Sequence, residues 1–374
     1  MAPRMHRSAH AAMAFSFLGL ARAGPFEPHR LPSNGPWFEG WYTRIIDSVA
    51  NRSVAVIVGS FQSQGQHEFS SSWAALLATY PNGTMYTEQV FPKQSDVKIF
   101  DRGHPVAADP PKNRPSVFQV SSDVGTLSVN DSHSSLSFTF PSGFSVSATL
   151  SRRVPWDSSC PDECGPEGWT SHVPARLVPT HYFVHTLASN AVYSVNGENG
   201  VGFAHQEANY GGYFPTAWVW VQGVAGNGET TLLLTGGEFT VAGATVKQFI
   251  VGYRSQRFKW NFRGVDLDQV QATIDGCAST LKISAVSVCG QRRLEIEVFA
   301  PPTSFSQPLF FPTPAGWSND PGCVESYVAL ARAVLYDQDN VELETIAMPQ
   351  VALEFGGAYR CKTSAPGNES TLII

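Results

Sequence analysis

Short apolar runs with a period of two dominate the chain. Ser53–Gln62 (SVAVIVGSFQ) is an apolar, β-branched run, while Phe144–Leu150 and Ala217–Gln222 alternate as strands with two unlike faces do. Further runs of strand length are Trp73–Tyr80, Tyr182–Val195, Thr231–Leu234, Thr245–Tyr253, Arg257–Phe262, Thr280–Val286 and Arg293–Phe299. Near the C-terminus, Ser326–Tyr336, a polar turn at Asp337–Asn340 and Val341–Ala347 read as a hairpin, followed by Gln350–Phe355. Only Glu325–Leu335 has helical character, and it reads equally well as a strand. Gly, Asn, Asp and Pro punctuate the runs at short intervals. That spacing predicts an all-β protein of antiparallel barrels or sandwiches rather than alternating βα units.

A Pro-, Gly- and Cys-rich stretch, Pro155–Val178, interrupts the pattern and is the predicted divide between two halves, 24–178 and 179–361, with a disordered tail at 362–374. Each half contains a Glu close to Gly and aromatic residues, leading into a strand: Phe38-Glu39-Gly40-Trp41-Tyr42 in the first, Glu207 to Trp220 in the second. This suggests a duplicated barrel with a pocket between or within the halves.

Composition narrows the choice. Charged residues are 15% of the chain and aromatics 12%, against roughly 25% charged in an average domain. Such a chain has ample material to bury, which excludes disorder. The net charge of −6 argues against a nucleic-acid footprint. Residues 1–23 have the form of a signal peptide, with basic Arg4 and Arg7, an apolar run from Ala11 to Leu20, and Ala21-Arg22-Ala23 as a cleavage pattern. No later segment is apolar for long enough to span a bilayer. Sequons at Asn51, Asn82, Asn130 and Asn368 and six cysteines fit a secreted glycoprotein. The spacing suggests Cys160 with Cys164, Cys277 with Cys289 and Cys323 with Cys361, one of 15 connectivities open to six cysteines.

The chain has no GxSxG, P-loop, GxGxxG or HExxH, and no CxxC that would suggest zinc. His181 and His185 share a strand face, but no third ligand accompanies them, so packing is the preferred reading. No metal or cofactor is assigned. What remains is binding, or chemistry that needs only an acid, a base and a shaped pocket. Two patches could supply it. One is Trp37, Phe38, Glu39, Trp41 and Tyr42; the other is His205, Glu207, Asn209, Tyr210, Tyr213, Phe214, Trp218, Trp220 and Gln222. A carboxyl buried among aromatic rings holds its proton near neutrality. Aromatic faces stabilise a developing cation, and amides such as Asn209 and Gln222 can orient an oxygen. The competing reading is that the rings are barrel core and the glutamates pin loops.

The blocks FEGWY, HQEANYGGYFPTAWVWVQ and VALEFGGAY resemble the tocopherol cyclase family, over roughly Phe38 to Tyr359. Leu232–Gly237 and Gly322–Ser326 are also similar. Glu39, Gly40, Trp41 and Tyr42 match the first block; Glu207, Asn209, Gly211, Phe214, Pro215, Trp218, Trp220 and Gln222 match the second. Ala208 and Tyr210 stand where the family has Lys and Trp. The resemblance implies two lipocalin-like halves, a fold related to carotenoid hydratases and some fungal natural-product cyclases. It also implies ring closure without a redox cofactor, by protonation of a prenyl double bond and attack of a phenol oxygen. A leader, sequons and cysteines point away from a plastid and from tocopherol itself, toward another prenylated phenol, quinone or polyene. A pericyclic or hetero-Diels–Alder closure fits the same kind of pocket. On this reading Glu207 is the acid with Glu39 as alternate, and Asn209, Gln222 or His205 orients the oxygen. Trp41, Tyr42, Tyr210, Phe214, Trp218 and Trp220 line the pocket. The alternative is a secreted lipocalin-like protein that binds an apolar small molecule unchanged.

Overall fold

A computed structural model describes residues 25–29, 34–66, 69–93, 95–101, 104–105, 118–130, 132–174, 177–241 and 244–362. The predicted leader, Asn368 and the tail beyond residue 362 lie outside the described residues. Apart from three short 3-10 turns, the described residues form strands and loops. The fold is all-β. One sheet has 12 strands and forms a half-barrel, a second has nine and nearly closes on itself, and Pro312–Thr313 with Gly316–Trp317 makes a small two-stranded third.

The two sheets share a wiring plan. In the first, Trp37–Asp47 continues as a meander through Arg52–Gln62, Ser71–Thr79 and Met85–Val90, and its other edge pairs with the last strand of that half, Glu198–Gly211. In the second, Ala217–Ala225 continues through Thr230–Val241, Ala244–Arg254 and Lys259–Arg263, and its other edge pairs with the last strand, Glu342–Gly357. The predicted duplication is therefore present in the topology, with repeats that begin at Trp37 and Ala217. The motif around Glu207 closes the first half rather than opening the second.

This moves the domain divide. Thr180–Val195 and Glu198–Gly211 follow the Pro/Gly/Cys-rich stretch, yet they pair with Ser145–Ser151 and Trp37–Asp47 in the first sheet. The chain passes between sheets in the short loop 212–216, not at 178/179. Backbone pairing decides membership of a sheet, and loop composition does not report it. The helix-like stretch lies in strand Cys323–Asp337. The two predicted runs after the polar turn are one strand, Glu342–Gly357. Irregular register against its partner, with Gln350 at φ 54°, bends that strand without ending it.

Burial follows the patterns. His133–Thr139 and Ser145–Ser151 alternate buried with less buried positions, as strands with one wet face do. The central strands are buried on both faces. Val219 and Val221 enter the core of the second half, while Trp218 and Trp220 on the opposite face join a separate cluster with Tyr42, Trp73, Tyr182 and Tyr327. That third cluster is the seam between the sheets. A strap, residues 305–322, crosses it and is tied to the first sheet through Gln89, which donates to Pro308 O and accepts from Phe310 N.

Cys160 pairs with Cys164 as expected, but Cys277 pairs with Cys361, across 84 residues. The expected partners Cys289 and Cys323 are free, exposed and buried respectively. Cys277 lies in the turn 276–279, against which the chain at 359–361 packs, and this contact brings it to Cys361. Cys323 instead faces the seam, where its Sγ meets Glu354. Two disulfides fit an oxidising compartment. Asn51, Asn82 and Asn130 all lie at turns or strand ends, the first two exposed.

Candidate active site

Strand alternation sorts the predicted residues. Tyr42 is paired with Glu207, and Gly40 with Asn209, so Glu207, Asn209 and Tyr42 share the face that looks into the seam. Glu39 and Trp41 point to the opposite face, into the first half. There Glu39 accepts from His29 N at 2.9 Å and faces His29 Nδ1 at 2.6 Å, while Trp41 Nε1 donates to Phe26 O. Tyr210 is on that face too, with its ring 3.9 Å from His29. Glu39, Trp41 and Tyr210 therefore belong to a packed cluster behind the seam, and only Glu39 and Trp41 touch its border.

Glu207 is 4% exposed. Its Oε2 accepts from Tyr182 Oη at 2.5 Å and Trp220 Nε1 at 3.1 Å, and lies 2.7 Å from His205 Nε2. Its Oε1 is 3.5 Å from Asn209 Nδ2. His205 is fully buried behind Glu207, and its Nδ1 has no partner among the described residues. His205 thus braces Glu207 and lies behind the cavity walls. Burial raises the Tyr182 phenol well above its ordinary value, keeping it a neutral donor.

Two further carboxyls face the seam. Glu325 and Glu354 sit directly opposite each other on Cys323–Asp337 and Glu342–Gly357. Glu325 Oε2 accepts from Tyr327 Oη at 2.7 Å and Tyr42 Oη at 3.2 Å. Glu354 Oε1 accepts from Trp218 Nε1 and from Cys323 Sγ; no described residue bonds its Oε2. Burial, reinforced by Glu354, pushes Glu325 up to about 8. Burial, reinforced by Glu207, pushes Glu354 up to about 7. Glu354 keeps some accessible surface although protein surrounds it, because that surface faces a cavity. Cys323 Sγ and an oxygen of each glutamate lie within 4.8 Å of one another, a set that could hold a divalent ion.

A buried cation anchors the same region. Arg44 is fully buried; its guanidinium donates to Ser53 Oγ, Gln222 O and Oε1, and Gln350 O. It also stands 4.6 Å from the Tyr327 ring centre. Gln222 is therefore committed to Arg44 and lines neither cavity. His181 Nδ1 faces Glu167 Oε2 at 2.8 Å, and His185 stacks on Phe26, so both histidines serve packing.

Two cavities, of about 120 and 100 Å³, adjoin in the seam. Glu207, Asn209, Phe214 and Glu354 border both. Trp218 and Trp220 line the first and Tyr42 the second. Glu325, Glu354, Tyr182 and Tyr327 were not singled out from the sequence as site residues, and Cys323 was expected in a disulfide. The available signal was a carboxylate inside a mainly apolar stretch of each strand, Glu325 within 323–331 and Glu354 within 351–357, where burial of charge is costly.

No protein-family profile matches the chain, and no curated protein does. The tocopherol cyclase likeness thus has no counterpart in a matching profile. Among solved structures, CghA superposes with a TM-score of 0.61 over 89% of this chain and 94% of its own, at 12% identity. CghA with Sch210972 gives 0.59 over the same shares, also at 12% identity. Kievitone hydratase from Nectria haematococca superposes at only 0.43, with 9% identity, over 90% of this chain and 99% of its own. At such low identity the CghA match establishes a shared fold and nothing finer.

Proposed function

We propose that the chain is a cofactor-free intramolecular cyclase for a hydrophobic prenylated phenol, quinone or polyene, working in the seam between its two halves. The observation that carries this reading is the pair Glu207 and Glu354 on the shared wall of two adjoining cavities, one proton-bearing near neutrality and the other braced by Tyr182 and Trp220. The complex of CghA with Sch210972 supports a small-molecule guest in this fold. The disulfides and turn-borne sequons support passage through the secretory pathway.

The donor in this scheme is Glu354 rather than Glu207. Its Oε1 is occupied by Trp218 and Cys323, which leaves Oε2 to present a proton. That proton passes to one carbon of a prenyl double bond; the π pair becomes the new C–H bond, and a tertiary cation remains. The faces of Trp218, Trp220 and Tyr42 stabilise it. A phenol oxygen, oriented by Asn209, closes the C–O bond, and its proton goes to Glu207 Oε1. Return of that proton to Glu354 across the common wall completes the cycle. The product is an isomer of the substrate, so nothing is consumed.

The test supplies a geranylated hydroquinone and analyses the recovered molecule by mass spectrometry and NMR. The expected result is a chromanol-type ring of unchanged mass, with turnover falling by about 10²-fold or more in Glu354→Gln. Recovery of bound but unaltered compound from the wild-type protein replaces the cyclase with the lipocalin-like binding protein.

A further inference from the structure

The two cavities differ in the placing of their groups, although Trp218 and Trp220 also wall the first and Glu39 and Glu325 also border the second. Thr180, Thr235 and Gln248 give the first a hydrogen-bonding wall, and Gln248 is exposed, which places the mouth there. The second is walled by Trp73, Phe311 and Trp317, with the strap as its roof. Each is well below the roughly 300 Å³ at the lower end for drug-sized ligands. Even the two together fall short of it, so the site takes a compact guest that spans both.

Between them stands Phe214, from the loop that joins the sheets. Its ring meets Phe38 and Trp218 edge-on at 5.1 and 5.3 Å. Its backbone N–H donates to Pro312 O at 3.1 Å, and Thr180 Oγ1 bonds the carbonyl of Tyr213 beside it. The ring is thus held from both sheets and from the strap. Glu207 and Glu354 remain reachable from either side of it.

We propose that Phe214 is the specificity-determining partition of a two-part site. It takes a guest with an oxygen-bearing head in the polar chamber and an unsaturated hydrocarbon tail in the aromatic chamber, folded around the ring so that both ends meet the acid pair. This rests on the seam being the cyclisation site, and it adds the substrate's architecture and the residue that sets tail length. A linear hydrocarbon without a head gives Thr235 and Gln248 nothing to bond. A head without a tail leaves the aromatic chamber empty.

The experiment is a tryptophan-fluorescence titration, since Trp73, Trp218, Trp220 and Trp317 line the chambers. The probes are hydroquinone and its prenyl, geranyl and farnesyl derivatives. For the wild-type protein, affinity rises with tail length to an optimum and then falls. In Phe214→Ala the optimum moves to a tail one isoprene unit longer, with a gain of roughly tenfold for that probe. Phe214→Leu moves it part of the way, and Phe214→Trp moves it to a shorter tail. Far-UV circular dichroism, alike in all four proteins, checks folding. An identical length profile in wild type, Phe214→Leu and Phe214→Ala overturns the partition. Because the titration reads binding alone, a shifted profile without ring closure keeps the partition and removes the cyclase. Ring closure with an unshifted profile does the reverse.

Discussion

Glu325 and Glu354 face each other across one strand pair, in surroundings that penalise their charge. Unfolded, each carboxyl releases its proton near pH 4.3. Folded, they hold protons up to about 8 and about 7. Between those limits the native state binds more protons than the unfolded one, so stability falls as pH rises through this window. The melting temperature is expected to drop between pH 5 and pH 8, and Glu325→Gln with Glu354→Gln should flatten the dependence in a thermal scan. Activity should decline above about pH 7 as Glu354 ionises, a limb absent if Glu354 is not the donor. Glu207, Asn209, Trp218 and Trp220 were readable because one contiguous block carries them. Glu325 and Glu354 were not, although each lies in a block quoted for its likeness. Their meeting depends on the register along one long hairpin, whose irregularities no local spacing encodes.

At the scale of elements, period-two runs revealed most of the strands, whereas strand partners stayed hidden. Gln269–Asp275 alternates plainly but is polar enough to pass for a loop. The Pro155–Val178 stretch resembles a linker, yet Glu167 on it bonds Tyr182 N and His181, fastening it to the first sheet. Two substitutions probe the elements that shape the site. Gly356 lies under the Trp218 indole, and a Cβ there would fall 1.9 Å from Cε2. Gly356→Ala should displace the indole from Glu354 and cost about 1–3 kcal/mol, measured by denaturant midpoint. Cys277→Ser should cost about 2–5 kcal/mol by opening the Cys277–Cys361 link. Cys289→Ser should leave the midpoint unchanged, an outcome that a Cys277–Cys289 bond would contradict.

For the whole molecule, the seam makes the two halves interdependent. Arg44 lies on the first sheet and spends three of its four hydrogen bonds on Gln222 and Gln350 of the second. Arg44→Met should lower stability by on the order of 3 kcal/mol, since hydrogen bonds to charged groups are worth about 1.5–3 kcal/mol each. The duplication was partly visible in the sequence, but its true starting points depend on which strands close each half. Expression through a secretory host should add glycans at Asn51 and Asn82, seen as a mobility shift reversed by endoglycosidase.

The two unpaired thiols form a natural clock for the seam. Cys289 is open to solvent, while Cys323 borders the aromatic chamber and burial pushes its thiol well above the ordinary range. An alkylating reagent should consume Cys289 at once and Cys323 only as fast as the halves part. The lag between the two labelling events therefore times the breathing that lets a guest in, and a tightly held occupant should lengthen it.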